Sequence, residues 1–211
     1  MVDGYAIVHY VKSASKPTKP SSGAVCYGFL AKGAKWKGTP ENWTVDPTNI
    51  RGLNSDDILQ KMSEDISTWE SAANGANILG SGSLDVASAT LGKTLDGENE
   101  VEFASIDSPG AIAVTYIWGI FGGPTFNRQL TEWDQVYDDA DFDWSLAETS
   151  VTGKMDFENI ATHELGHAVG MNDLYTSSCS AQTMYGYADY GETNKRSLES
   201  GDMAGIKALY K

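Results

Sequence analysis

Positive charge is in short supply in this chain. Over 211 residues, 15 Lys and Arg stand against 29 Asp and Glu, a formal charge of −14, and such a surface offers little to a phosphate backbone. Nucleic acid is not expected as a partner. Proline is scarce at 6 while glycine reaches 22, which excludes a Pro-rich linker protein and leaves a turn-rich globular one. A long apolar run is missing too. The longest uncharged stretch, Ser108 to Asn127, holds Pro109, Pro124 and four glycines, so it reads as a strand and a turn rather than a spanning helix of about 20 apolar residues. The opening Met1-Val-Asp-Gly-Tyr5 shows neither the basic region nor the apolar stretch of a signal peptide. Only two cysteines occur, Cys26 and Cys179, and one pair fits a secreted disulfide as well as two buried thiols. What is present is 41% hydrophobic and 10% aromatic residues, enough for a core in one domain without staples.

Periodicity places the elements. Residues 4–11 read as a strand, 12–22 as an exposed loop and 24–30 as a second strand. In the stretch 54–74, Ile58, Met62, Ile66, Trp69 and Ala73 recur at helical spacing, with Ser55 as N-cap and Asn74-Gly75 as the stop. Residues 78–95 are rich in Gly and Ser and give no clear pattern. Strands follow at 100–106, 111–118 and 130–137 through β-branched and aromatic enrichment. A second helix is bounded by Asp156 as N-cap and Gly170 as its end. A last helix, 201–210 behind Ser200, puts Met203, Ile206 and Leu209 on one packing face. No internal repeat is visible.

The second helix carries the chemistry. In His163-Glu164-Leu165-Gly166-His167, a spacing of four stacks two imidazoles on one helical face about 6 Å apart, where one metal ion can meet both. Glu164 lies beside that face, out of reach of the same ion but within reach of a water on it, as a general base must be. A catalytic zinc takes a third protein ligand. His9, in the first strand, is the remaining histidine; Asp173, three residues past the turn at Gly170, is the better placed candidate.

The full pattern, His163-Glu164-x-x-His167-x-x-Gly170-x-x-Asp173 followed by Thr183-Met184-Tyr185-Gly186, resembles the metzincin zinc peptidases, with their long zinc signature and Met-turn. The resemblance is closest to the matrixin-like branch and can be followed from Trp43 to the end, through 130–137 as the strand before the active-site helix and 197–210 as the closing helix. Asp173 stands where most of the family has histidine; snapalysin-like peptidases are similar in using aspartate. The resemblance implies an α+β fold, a twisted mixed sheet with two long helices, comprising one catalytic domain with an N-terminal subdomain over 1–170 and a small C-terminal one over 171–211 ending in a helix. It implies one catalytic zinc on His163, His167 and Asp173, Glu164 as base, and Met184 and Gly170 as structural supports. A protein or peptide substrate would lie extended in a cleft, paired with 111–118 as edge strand. A carboxylate in place of an imidazole lowers the charge of the metal–ligand set by one, which makes the bound water less acidic and places more weight on Glu164. The tyrosine that some metzincins carry two residues after the methionine is Gly186 here.

The other motifs are weaker. Gly92-Lys93-Thr94 ends like a phosphate-binding loop but has Ala87 at the required glycine. Asp139, Asp141 and Asp143 have calcium-loop spacing, with Trp144 at its glycine and Ser150 at its closing acid, which leaves calcium an open second cofactor. Asn42-Trp43-Thr44 fits a glycosylation sequon. Cys26 and Cys179 admit a disulfide, free thiols, or a zymogen-type thiolate at Cys26, although its neighbours do not match the matrixin switch motif. A disulfide implies an oxidising compartment, hence an extracellular or cell-surface enzyme, with a cytoplasmic one as the contrary case; separately, a monomer is expected. The rival to a peptidase is a non-catalytic, zinc-stabilised binding module of the cell surface, which has no use for Glu164.

Overall fold

A computed structural model describes residues 1–12, 25–38, 40, 42–86 and 94–211. The elements are β1 (Asp3–Val11), β2 (Trp43–Val45), α1 (Ser55–Ala72), β3 (Gly82–Leu84), β4 (Glu100–Ala104), β5 (Ala111–Ile120), β6 (Gln129–Asp138), β7 (Trp144–Ser145), β8 (Met155–Asp156), α2 (Phe157–Ala168), β9 (Tyr187–Ala188) and α3 (Ser200–Leu209). The expected α+β architecture is present. Seven strands form a mixed twisted sheet in the order β3-β2-β4-β6-β5-β1-β9, in which β5 alone runs against the rest; β7 and β8 pair separately.

Both long helices pack on one face of the sheet. Ile58, Met62, Ile66, Trp69 and Ala73 of the first helical stretch are buried, against Trp133 and Tyr137 of β6 and Phe157, Ile160 and Leu165 of α2 in a single core. Trp69 Nε1 donates to the Thr162 carbonyl at 2.8 Å, which fixes α1 against α2 where the site residues begin. Asp156 caps α2 as expected, accepting the Asn159 N–H at 2.9 Å. Past the C-cap Val169, Gly170 takes φ +100°, a conformation that lets the chain double back toward the helix end.

Several local expectations are corrected. The cap of α1 is Asn54, not Ser55: Asn54 is extended and its side chain accepts the Asp57 N–H, while Ser55 is already helical. Glu199, not Ser200, caps α3, in a capping box with Asp202. Met203 is partly exposed and Asp202 is buried in its place, because the Asp202 carboxylate accepts the Thr183 and Met184 N–H groups. Of the second strand, Ala24 lies outside the described residues and 25–30 is irregular chain with one bridge, Phe29 to Met171; it follows the segment leaving α2 instead of joining the sheet. The loop at 13–22 and the Gly92-Lys93 motif also lie outside the described residues. Most consequential, β5 is not an edge strand, because β1 pairs with it from Asp3↔Gly119 to Tyr10↔Ala111.

Candidate metal centre

Helix α2 offers His163 and His167 from one face, and the turn at Gly170 returns the chain so that Asp173 lies opposite them. Asp173 Oδ1 is 3.1 Å from His163 Nε2 and 3.5 Å from His167 Nε2. The other ring nitrogens are committed: His163 Nδ1 donates to the Thr183 carbonyl at 2.7 Å and His167 Nδ1 to the Met171 carbonyl at 3.0 Å. That assignment leaves each Nε2 as a lone pair. Tyr175 Oη donates to the second Asp173 oxygen at 2.9 Å, so Oδ1 is the atom turned toward the histidines.

Three buried acceptors thus face one another, and none has a hydrogen-bond partner. Such an arrangement is unfavourable without a cation between them. The donor set of two imidazoles and one carboxylate suits zinc, and the residues fit the ion. Burial, reinforced by the Lys195 charge, holds His163 down to about 4. Burial alone would raise Asp173, but His167 and His163 outweigh it and keep the carboxyl far below its usual range.

Beneath the site, Met184 is fully buried. A Cβ on Gly166, inside the His163–His167 turn, would stand 2.2 Å from Met184 Sδ, so the absence of a side chain there lets the methionine approach the helix backbone. The Met184 segment is held by Asp202 and by the bridge from Leu174 to Tyr185.

Glu164 is fully buried next to this set, and burial pushes its carboxyl up to about 7. Oε2 accepts from Thr115 Oγ1 of β5 at 2.6 Å. Oε1 lies 3.2 Å from His9 Nδ1. His9, the other candidate ligand, therefore sits on the glutamate rather than with His167 and Asp173. The opposite ring nitrogen, His9 Nε2, is 3.2 Å from Lys195 Nζ, which also donates to the Tyr185 and Tyr187 carbonyls.

The matrixin family model matches residues 35–211. This chain belongs to the matrixins. Matrixins are zinc-dependent metalloendopeptidases, so this matrixin is a hydrolase of that class with a peptide as substrate. No curated protein gives a match to the chain.

Two features of this matrixin were not visible in its motifs. Thr115 and Lys195 stand in a strand and a short turn with no pattern to mark them, and only the folded chain brings them to Glu164 and His9. Among the described residues, the groups able to hold a metal are His163/His167/Asp173 and His9/His163/Glu164; neither is in the acidic loop considered for calcium. There Asp139 accepts the Ile50 N–H and Asp143 pairs with Arg51. Cys26 and Cys179 form a disulfide, which suits an oxidising compartment, and no helix among the described residues is long and apolar enough to cross a membrane.

Proposed function

We propose that this matrixin cleaves peptide bonds with Glu164 as general base, at a zinc ion held by His163, His167 and Asp173. The observation that carries the reading is the convergence of three unpartnered acceptors, His163 Nε2, His167 Nε2 and Asp173 Oδ1, beside a buried carboxylate. When bound, zinc supplies a Lewis acid for the scissile carbonyl and a more acidic water. Glu164 takes the proton of the attacking water and delivers it to the leaving amine; its raised affinity for a proton, a consequence of burial, suits both halves of that exchange. Thr115 donates to Oε2 and keeps the carboxylate oriented beside the metal-ligand set. Met184 and Gly170 act through position, the first under the ligand helix and the second by returning Asp173 to it.

The reading extends to the whole chain as one catalytic domain, with 1–170 and 171–211 as its two parts, working as a secreted or cell-surface monomer; the disulfide supports the location. The test is Glu164→Gln in metal-loaded protein. It is expected to keep about one zinc per chain and lose peptide hydrolysis by about 10²–10⁴-fold. His167→Ala and Asp173→Ala are expected to lose the metal. Equal hydrolysis by Glu164→Gln and the unmodified protein would overturn the catalytic reading in favour of a non-catalytic zinc-stabilised module.

A further inference from the structure

The channel beside the metal centre is filled by the protein's own first strand. β1 runs antiparallel to β5 on one side, and parallel to β9 on the other at Tyr10↔Tyr187 and Val11↔Ala188. A strand seated between two others is bound through its main chain, and its alternate side chains fall into pockets. β1 lies in the part of the chain that precedes the family match at residue 35. Without it the larger part of the sheet, β3-β2-β4-β6-β5, would end in β5 as an open edge.

The side chain that β1 sends into the site is His9. It is fully enclosed, its ring centroid is 3.9 Å from that of His163, and it bridges Glu164 and Lys195. One tautomer satisfies both neighbours: Nδ1–H donates to Glu164 Oε1, and Nε2 accepts from the Lys195 ammonium. Lys195 has three protons to give. Two go to the Tyr185 and Tyr187 carbonyls that form the wall of the channel, and the third goes to His9. An apolar side chain in the place of His9 would leave that third proton buried with no acceptor, which is the costly case. A carboxylate there would face Glu164 at close range, and like charges repel. A side chain with a donor on one side and an acceptor on the other, such as histidine or glutamine, meets both demands.

We propose that β1 is an internal mimic of the substrate and that Lys195 determines specificity, the pocket that holds His9 taking from a substrate a neutral side chain with a hydrogen-bond acceptor for Lys195. The proposal rests on the peptidase reading for its meaning, but the pocket can be tested without metal or turnover. In metal-free full-length protein, hydrogen exchange of the β1 amides reports how well residue 9 is held. His9→Gln is expected to keep their protection within about threefold, whereas His9→Leu and His9→Glu lose about ten- to a hundredfold, the range of one buried unpaired group, with β4 and β6 unchanged. Placing Lys195→Met beneath His9→Leu should abolish that loss, and Lys195→Gln, which retains a donor, should keep much of it. The His9 series needs no change at Lys195, so it judges the pocket even if those variants fail to fold. Equal protection with Leu and His at position 9 would overturn the proposal.

The second measurement is cleavage of a peptide library by zinc-loaded protein cut between Val11 and Cys26, so that β1 can leave the channel. One position of the cleaved peptides should favour His and Gln over Leu by about tenfold or more. Hydrolysis without that preference would also overturn the proposal. Absence of any hydrolysis, together with the expected exchange series, would instead sink the peptidase reading and leave the pocket assignment standing.

Discussion

The chain before Gly170 and the chain after it are held by different forces. Before it, α1, α2 and the sheet share one apolar core in which Ile58, Met62, Ile66, Trp69, Trp133, Tyr137, Phe157 and Leu165 are all buried. After it, Met171, Met184, Ala188 and Ile206 extend that core, but the turns between them rest on a few buried polar groups. Asp202 accepts the Thr183 and Met184 N–H groups, Gln182 Oε1 accepts those of Gly201 and Asp202, and Lys195 spans the Tyr185 and Tyr187 carbonyls. Apolar burial is non-directional, so many neighbours share the loss of one contact. A buried hydrogen bond is directional, and its loss leaves a named group unpaired. The two histidines therefore stand on the redundant part of the molecule, whereas the turns that carry Asp173 and Met184 depend more on single polar groups, although Met184 itself is in the core.

The sharpest way to break this contrast is Asp202→Ala. It leaves two buried N–H groups without partners, for an expected cost of about 2–6 kcal/mol, and it frees the Thr183 carbonyl segment that orients His163, so zinc affinity should fall about 10–100-fold. Urea unfolding beside a metal titration reads both, and unchanged zinc affinity would contradict the contrast. Ile66→Ala is the matching change in the apolar half. It should cost about 2–5 kcal/mol of stability while zinc affinity stays within about twofold; a large loss of metal would show that the two halves are not separable.

The smallest effect concerns a polar group stranded in the apolar half. Burial, with Glu132, Glu100 and Asp96 nearby, raises Asp134 of β6 to about 8, although its Oδ1 accepts the Glu100 N–H. A carboxyl that holds its proton more tightly in the folded state contributes stability at low pH. That stability is lost as pH rises from about 4 toward 8. Thermal melting should therefore show Asp134→Asn falling less than the unmodified protein between pH 5 and pH 8, by a few degrees at about 2–4 °C per kcal/mol. An identical slope in both proteins would remove Asp134 as the cause.

Much of the apolar half was legible in the sequence because its signals are local. The spacing of Ile58, Met62, Ile66 and Trp69 is a property of one helix, and so is the stacking of His163 on His167. Asp173 could be reached by counting from the turn at Gly170. The edges of the sheet could not: the sequence of β5 is the same whether its outer side is open or covered by β1, so it reads as an edge strand until the pairing of distant segments is known. Lys195 and Thr115 were hidden for a related reason, since a lone polar residue in a turn or strand carries no period. Met203 misled because hydrophobic spacing cannot show that Asp202, one residue away, has two amide protons to meet inside.

The disulfide has one more consequence, for what a cut in the chain does. Cys26 and Cys179, 153 residues apart in sequence, close a covalent ring that contains β2 to β8, α1 and α2. A nick anywhere inside that ring leaves the two pieces tethered through sulfur, and a nonreducing gel would still show one band. β1 lies outside it. One cut between Val11 and Cys26 makes that strand a separate peptide, held without a covalent bond, chiefly through its ladders to β5 and β9 and the grip on His9, and open to exchange for another chain that fits.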